Sequence, residues 1–250
     1  MQKFEHIISL GWFCSTAAEL DRMGLRDASF PFDWLGTPLQ SIFSLIDNNF
    51  EDFLTYDLLY QNTKEKRGYK NIKYDLVFFH EFSRHSPLAE QMDAVQAKYK
   101  RRIALFYESI KEPTLFLRYI ENQEEATYLE NNYDFVLSYI KKFNANNEIV
   151  FVSNDTVKAD IPNIHYVQPD EGDSVARRFL KKAPNLQAYL CSGIFPEDRR
   201  KKNLRRYNKK NRQWRKRFRK WLKKIFRIKG HTKSVEHIPE YVHDKTVDKL

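Results

Sequence analysis

Residues 6–23 read HIISLGWFCSTAAELDRM, and this stretch decides the fold class. The apolar run 6–10 predicts a short strand, and the spacing of apolar residues over 15–23 predicts a helix. Cys14 lies in the turn between the two. A strand followed closely by a helix is the starting unit of a sheet whose strands run parallel, with helices packed on its faces.

The same alternation continues along the chain. Strands are predicted at residues 74–79, 114–117, 148–152 and 164–167, and helices at residues 39–46, 88–110, 124–143 and 174–182. Residues 61–73 are polar and charged and predict an exposed loop. The alternation predicts a Rossmann-like three-layer α/β domain with a mostly parallel sheet over residues 1–196.

The charge of the chain is unevenly distributed. The net charge is +10, yet residues 199–229 hold 18 Lys or Arg and no Asp or Glu, so the remaining residues carry −8. The sequence therefore predicts an acidic body with a strongly basic limb, and not a uniformly basic protein.

The basic limb has the pattern of an amphipathic helix over residues 197–230. Its apolar residues fall within one stripe about 160° wide at about 100° per residue, and nearly all of its cations lie elsewhere. This pattern is typical of a helix that lies in the headgroup region of a membrane. The residues that we expect to contact an anionic membrane surface are Trp214, Phe218, Trp221, Ile225, Arg217 and Lys224.

Two other roles of this helix stay open. Basic stretches with aromatic residues also bind nucleic acid, although no nucleic-acid module accompanies this one, and the helix can dock on the acidic body. The N-terminus lacks a signal-peptide pattern, and no apolar run approaches the roughly 20 residues that span a bilayer. We therefore expect a cytoplasmic protein that is peripheral at the inner face of the cell membrane. Residues 231–250 are polar and are expected to form a disordered tail.

Polar side chains follow the predicted strands. Each strand end is followed by one of Cys14, His80, Arg118, Asn154 and Gln168. In open α/β sheets the carboxyl ends of the strands form the edge where ligands bind, so the sequence predicts a site there. The chain has no G-x-G-x-x-G, G-x-x-x-x-G-K-[ST], H-E-x-x-H or C-x-x-C motif, and no metal or cofactor is predicted.

Cys14 is the candidate nucleophile of this site. A thiol at a helix N-terminus meets free backbone N–H groups and the positive end of the helix dipole, which favour the thiolate and lower the pKa. His80, placed beside it, would act as the base. The alternative interpretation is a small buried cysteine and a structural histidine at a strand end.

The remaining candidates each have two interpretations. Asp33, within the motif PFDW, either anchors its loop or orients the catalytic imidazole, a role for which Asn154 is the other candidate. Arg118 either binds an anionic substrate group through two hydrogen bonds or forms an ion pair that closes the sheet edge. Trp34 and Asn154 are further candidates for contacts with substrate.

Five segments, ISLGWFC, LRDASFPFDW, FFHEF, KYKRRI and FLR, follow one another within about residues 5–155. They resemble a bacterial family of largely unknown function that is described as papain-like cysteine peptidases. The most specific parts are SLG-x-x-C, PFDW and H-x-F. The resemblance implies that Cys14 and His80 are the nucleophile and the base. Members often accompany genes for surface-polysaccharide assembly or are fused to glycosyltransferases.

The resemblance also implies a papain-like α+β fold as the alternative to the Rossmann-like domain, with the cysteine at the head of a central helix and the histidine on an antiparallel sheet. It implies an enzyme that hydrolyses a peptide, transfers an acyl group or modifies a glycan precursor, with a glycosyltransferase or a lipid-linked glycan precursor as its partner. The competing hypothesis is a non-catalytic module that recruits a polysaccharide-assembly partner to the membrane.

Overall fold

The computed structural model describes residues 2–12, 14–61, 68–83, 85–169 and 178–228. These residues form two four-stranded sheets and seven α-helices, with a short 3-10 helix at Tyr56–Leu58. The strands are β1 (His6–Ser9), β2 (Leu35–Gly36), β3 (Leu59–Gln61), β4 (Tyr69–Asn71), β5 (Leu76–Phe78), β6 (Thr114–Ile120), β7 (Glu148–Asn154) and β8 (Ile164–Val167). The helices are α1 (Cys14–Arg22), α2 (Leu39–Asp47), α3 (Leu88–Ser109), α4 (Gln123–Lys141), α5 (Phe179–Lys182), α6 (Pro184–Cys191) and α7 (Glu197–Ile228).

The first sheet is parallel throughout, with strand order β1-β6-β7-β8. Successive residues of its strands point to opposite faces. Ile7 belongs to the apolar cluster that holds residues of α1, α5 and α6, whereas Ile8 belongs to the cluster that holds residues of α2, α3 and α4. Helices therefore cover both faces, and the mostly parallel α/β arrangement predicted from the sequence is confirmed.

The second sheet is antiparallel, with strand order β2-β5-β4-β3, and it corrects two predictions. The strand expected at residues 74–79 is β5, but it pairs with β2 and β4 and not with the parallel sheet. Residues 61–73, expected to be an exposed loop, include β4. Strands of two or three residues are too short to show an apolar alternation, and only Asn71 of β4 is buried.

Aromatic side chains join the second sheet to α3. The ring of Phe53 lies 5.3 Å from that of Phe78 and 5.0 Å from that of Tyr99, and Phe82 packs on Phe78 at 5.8 Å. All four side chains are buried, and their tilted, edge-on contacts are the arrangement that aromatic rings prefer. This packing fixes β5 and the residues that follow it against α3.

The long helices agree with their apolar periodicity. α3 and α4 begin and end within two residues of the predicted bounds. The side chain of Asn122 caps α4 by accepting a hydrogen bond from the Glu125 backbone N–H at 2.9 Å. The helix predicted at residues 174–182 is α5 in its described part. Residues 174–177 and the predicted tail at 231–250 lie outside the described residues.

The first turns of α7 dock on the body of the protein. Arg199 forms an ion pair with Glu5 at 2.8 Å, and the Asn203 amide donates a hydrogen bond to the Gly24 carbonyl at 3.2 Å. Gly24 has a φ of +71°, and a Cβ atom at this position would lie 2.5 Å from Leu204 Cγ. Docking on the body, one of the three roles considered for this helix, therefore describes its beginning.

Candidate cysteine site

Cys14 is the first residue of α1 and is partly buried. The turn that leads to it is held from both sides. Gly11 has a φ of +81° and donates a hydrogen bond from its N–H to Ser9 Oγ at 3.2 Å, and its carbonyl accepts from Thr16 Oγ1 at 3.1 Å. Cys14 therefore lies at the N-terminal, positive end of the α1 helix dipole.

Arg118 stabilises the turn before Cys14 from the interior of the protein. The side chain is fully buried, and its Nη1 donates a hydrogen bond to the Leu10 carbonyl at 2.8 Å. Its Nε and Nη2 donate to the two carboxylate oxygens of Glu125 at 2.8 and 2.7 Å. Arg118 also lies within β6 and not after it. The guanidinium is therefore engaged in the internal ion pair that the sequence left as an alternative, and Glu125 takes the place of the anionic ligand that we expected.

His80 is an exposed residue two positions after the end of β5. Its placement corrects the expected common edge, because β5 belongs to the antiparallel sheet and the carboxyl ends of the parallel strands lie in the other sheet. Its neighbour Phe79 packs close to Gly36, where a Cβ atom would lie 3.1 Å from the Phe79 ring. His80 therefore lies next to the paired strands β2 and β5.

Strand β2 lies beside the turn before Cys14 and pairs with the strand that precedes His80. A Cβ atom on Gly11 would lie 3.5 Å from the carbonyl oxygens of both Phe32 and Leu35, so the turn before Cys14 contacts the start of β2. Leu35 pairs with Phe78, two residues before His80. The cysteine thus heads a helix and the histidine follows a strand of an antiparallel sheet, which is the arrangement that the resemblance implies.

Asp33 is buried and anchors its own loop. Its Oδ2 accepts hydrogen bonds from Arg26 Nη2 at 2.6 Å, Arg26 Nε at 3.0 Å and the Phe30 N–H at 2.8 Å. Burial raises the pKa of this carboxyl, against the lowering effect of Arg26. The Arg26 guanidinium also lies over the ring of Trp34, 5.5 Å from its centre. These contacts match the loop-anchor interpretation, and the substrate contact of Trp34 stays a prediction.

Asn154 is the last residue of β7 and is buried. Its Oδ1 accepts hydrogen bonds from Thr156 Oγ1 at 2.6 Å and from the Val157 N–H at 3.1 Å. Side-chain bonds of this kind stabilise a turn directly after a strand. The side-chain oxygen is therefore engaged in local structure, and a role in orienting His80 or binding substrate stays a prediction.

Glu81 was not singled out from the sequence, although it lies next to His80. Its carboxylate is buried and contacts Lys98 Nζ, and it accepts hydrogen bonds from Tyr99 Oη at 3.0 Å and Arg102 Nη1 at 3.2 Å. Burial alone would raise the pKa of Glu81, but Lys98, Arg102 and Tyr99 outweigh it and hold the pKa below its usual value. The signal in the sequence was the cationic segment KYKRRI of α3, which supplies all three partners.

The candidate membrane residues lie in the later turns of α7. Trp214 stacks on Phe218 with 5.1 Å between ring centres, and Phe218 stacks on Trp221 at 5.6 Å. Trp221 is 47% exposed, and Arg217 is also exposed. The side chains of Lys224 and Ile225 lie outside the described part of the helix.

One family model matches the chain, over residues 5–156. The match spans more than half of the 250 residues, includes Cys14, Asp33, His80, Glu81 and Arg118, and ends before α7. No curated protein and no solved structure matches the chain. The chain belongs to the family described as "Putative papain-like cysteine peptidase (DUF1796)".

Proposed function

We propose that this protein is a cysteine-nucleophile enzyme with Cys14 as the nucleophile and His80 as the base, carried by a Rossmann-like body. The observation that supports the proposal most directly is the shared neighbour β2, which contacts the turn before Cys14 and pairs with the strand before His80. An exposed histidine on a well-packed strand end is available to a substrate, unlike a structural histidine buried in a core.

The proposed reaction is acyl transfer through a thioester. His80 takes the thiol proton as Cys14 Sγ attacks the substrate carbonyl carbon, and the C=O electron pair moves to oxygen. The N-terminus of α1, the positive end of its helix dipole, stabilises that oxyanion. When the carbonyl re-forms, the bond to the leaving group breaks, and the imidazolium returns the proton to that group. Water or another nucleophile then releases the acyl group, which gives hydrolysis or transfer.

Selective alkylation tests the nucleophile. Cys191 is an internal control, because burial raises the pKa of its thiol and disfavours the reactive thiolate. With limiting iodoacetamide at neutral pH, mass spectrometry of the two cysteine peptides should show Cys14 modified at least about tenfold faster than Cys191. Equal rates at the two cysteines would contradict the proposal.

We further propose that α7 holds the enzyme at an anionic membrane surface, where a lipid-linked glycan precursor of surface-polysaccharide assembly is the substrate or a glycosyltransferase is the partner. None of the described helices is both long and apolar enough to cross a bilayer, so attachment would be interfacial. Trp214, Phe218 and Trp221 stack along one side of α7. Each cation near anionic lipid contributes about 1 kcal/mol, and α7 carries most of the 18 cations of the limb.

Vesicle sedimentation tests this attachment with the full-length chain. The wild type should pellet with phosphatidylglycerol vesicles and much less with phosphatidylcholine vesicles, and high salt should release it. Replacing Trp214, Phe218 and Trp221 together by Ala should weaken binding several-fold, whereas Lys111→Ala, at an exposed lysine of the body, should not. Equal pelleting of the triple variant, or binding to RNA but not to vesicles, would contradict the membrane role.

A non-catalytic recruitment module is the second candidate function, and the exposed aromatic and cationic surface of α7 favours it independently of Cys14. The two candidate functions predict different effects of the same variants on polysaccharide assembly in cells. Under the module, Cys14→Ala should retain full polysaccharide assembly, whereas the α7 triple variant should lose it. Under the enzyme, both variants should fail.

A further inference from the structure

We propose that Glu81 is a positioning residue that fixes His80 for its reaction with Cys14. This inference rests on the proposed function, in which His80 is the base. Glu81 and His80 are adjacent in the chain and differ sharply in environment. The carboxylate of Glu81 is only 5% exposed, whereas His80 is an exposed residue.

The backbone of His80 is held on both sides. On the N-terminal side, Phe78 pairs with Leu35 of β2 and with Tyr69 of β4. On the C-terminal side, Phe82 is buried and its ring lies 5.1 Å from that of Tyr69. These two contacts restrict the backbone on either side of His80. The packing therefore gives a solvent-facing imidazole a fixed point of attachment.

Glu81 provides a third contact that holds this segment, and this contact is ionic. Lys98, Tyr99 and Arg102 all lie on α3, so the carboxylate ties the residue after β5 to a 22-residue helix. The Arg102 guanidinium lies 5.0 Å from the centre of the Tyr99 ring, which keeps these two donors together. Loss of the carboxylate leaves two cations and a buried hydroxyl without their common acceptor, and the segment that bears His80 is then free to move.

Interaction between variants separates positioning from a purely structural role. A residue that acts through His80 has no effect once His80 is absent, so the two changes should not add. The test measures the rate of Cys14 alkylation by iodoacetamide in the wild type, Glu81→Gln, His80→Gln and the double variant. We expect each single change to slow the reaction about tenfold and the double variant to be no slower than His80→Gln.

Two controls keep the result interpretable. Asp27→Asn removes a partly buried, ion-paired carboxylate that contacts His6 and Arg199, and it should leave the Cys14 rate unchanged. Thermal unfolding checks that Glu81→Gln is folded. If it is not, Arg102→Gln, which removes one donor at a side chain only 13% exposed, replaces it in the same set of variants.

The outcomes separate this inference from the proposed function. If His80→Gln slows Cys14 and Glu81→Gln does not, Glu81 has no positioning role while the enzyme proposal stands. If Glu81→Gln slows Cys14 equally with and without His80, its role is structural and the inference is wrong. If His80→Gln has no effect, the proposed function itself fails.

Discussion

Buried charge explains why several polar residues of this protein support the candidate site and do not form it. Arg118 and Glu125 are paired in the interior beneath the turn that leads to Cys14. Asp33 accepts three hydrogen bonds within its own loop. Charges out of contact with water need such partners, because an unpaired one is strongly unfavourable. His80, in contrast, is exposed.

Removing the guanidinium of Arg118 tests its supporting role. Arg118→Ala leaves Glu125 buried without its partner and the Leu10 carbonyl without its donor, so the free energy of unfolding should fall by about 3–5 kcal/mol. Arg101→Ala, at an exposed arginine of α3, is the matched control and should change it by less than about 0.5 kcal/mol. Urea denaturation measures both. If Arg118→Ala lowers the free energy of unfolding no more than Arg101→Ala does, the Arg118–Glu125 ion pair is dispensable.

The pH dependence of stability tests the charge of Glu81. Its pKa is lowered from the usual 4.5 in the folded protein, so its ion pairs stabilise the fold fully above about pH 4.5. That contribution is lost as the pH falls through the lowered folded-state pKa. The stability difference between wild type and Glu81→Gln should therefore be largest at neutral pH and shrink at about pH 3. A difference that is constant with pH would contradict an ionised Glu81.

These residue roles were only partly predictable from the sequence. Cys14, His80, Asp33 and Arg118 were predicted as candidates, and the roles of Cys14 and His80 stay predictions. The buried partners of Asp33 and Arg118 were not predicted. Glu125 is seven residues from Arg118 and Arg26 is seven residues from Asp33, so no local pattern joins them. Tertiary packing decides which polar groups contact each other in the interior. The spacing of residues along the sequence does not show these contacts.

At the scale of elements, long helices were predicted from the sequence more accurately than short strands. α3 and α4 have 22 and 19 residues, enough turns for their apolar repeat to set both ends. β2 has two residues and β5 has three, too few to show an alternation or to reveal which strands pair. The antiparallel sheet whose strand β5 precedes His80 was therefore missed, although the resemblance implied an antiparallel sheet.

The docking of α7 on α1 depends on a glycine at the end of α1. Gly24→Ala places a methyl group against Leu204 and the Arg200 carbonyl, in addition to the strain of a positive φ. Gly193→Ala is the matched control, because its φ is +88° and no atom lies within 4 Å of the added methyl group. Positive φ alone costs about 1–2 kcal/mol, so Gly24→Ala should lose more than Gly193→Ala.

Thermal unfolding compares the two glycine variants, and limited trypsin digestion reports the first turns of α7. Faster cleavage after Arg199 and Arg200 is expected in Gly24→Ala only. If the two variants lose equal stability and the cleavage pattern is unchanged, the close contact between Gly24 and Leu204 does not hold α7.

At the scale of the whole molecule, the uneven charge was visible in the sequence and its consequence is now more specific. The first turns of α7 use Arg199 and Asn203 to dock on the body, whereas the later turns carry the stacked aromatic residues and exposed cations. The first and the later turns of α7 therefore differ in their surroundings. Its N-terminal part packs near the end of α1, the helix that begins with Cys14.

The central claim is that Cys14 and His80 act as a pair, and the pH profile of Cys14 alkylation tests it most directly. A free thiol titrates at about 8.5, and pairing with an imidazole extends thiolate reactivity to lower pH. We measure the rate from about pH 5 to 9 in the wild type, in His80→Gln and in His85→Gln, a neighbouring exposed histidine as control. The account predicts reactivity well below pH 8.5 in the wild type and His85→Gln, and its loss in His80→Gln. A wild-type profile with a single step near 8.5 that His80→Gln leaves unchanged would contradict it.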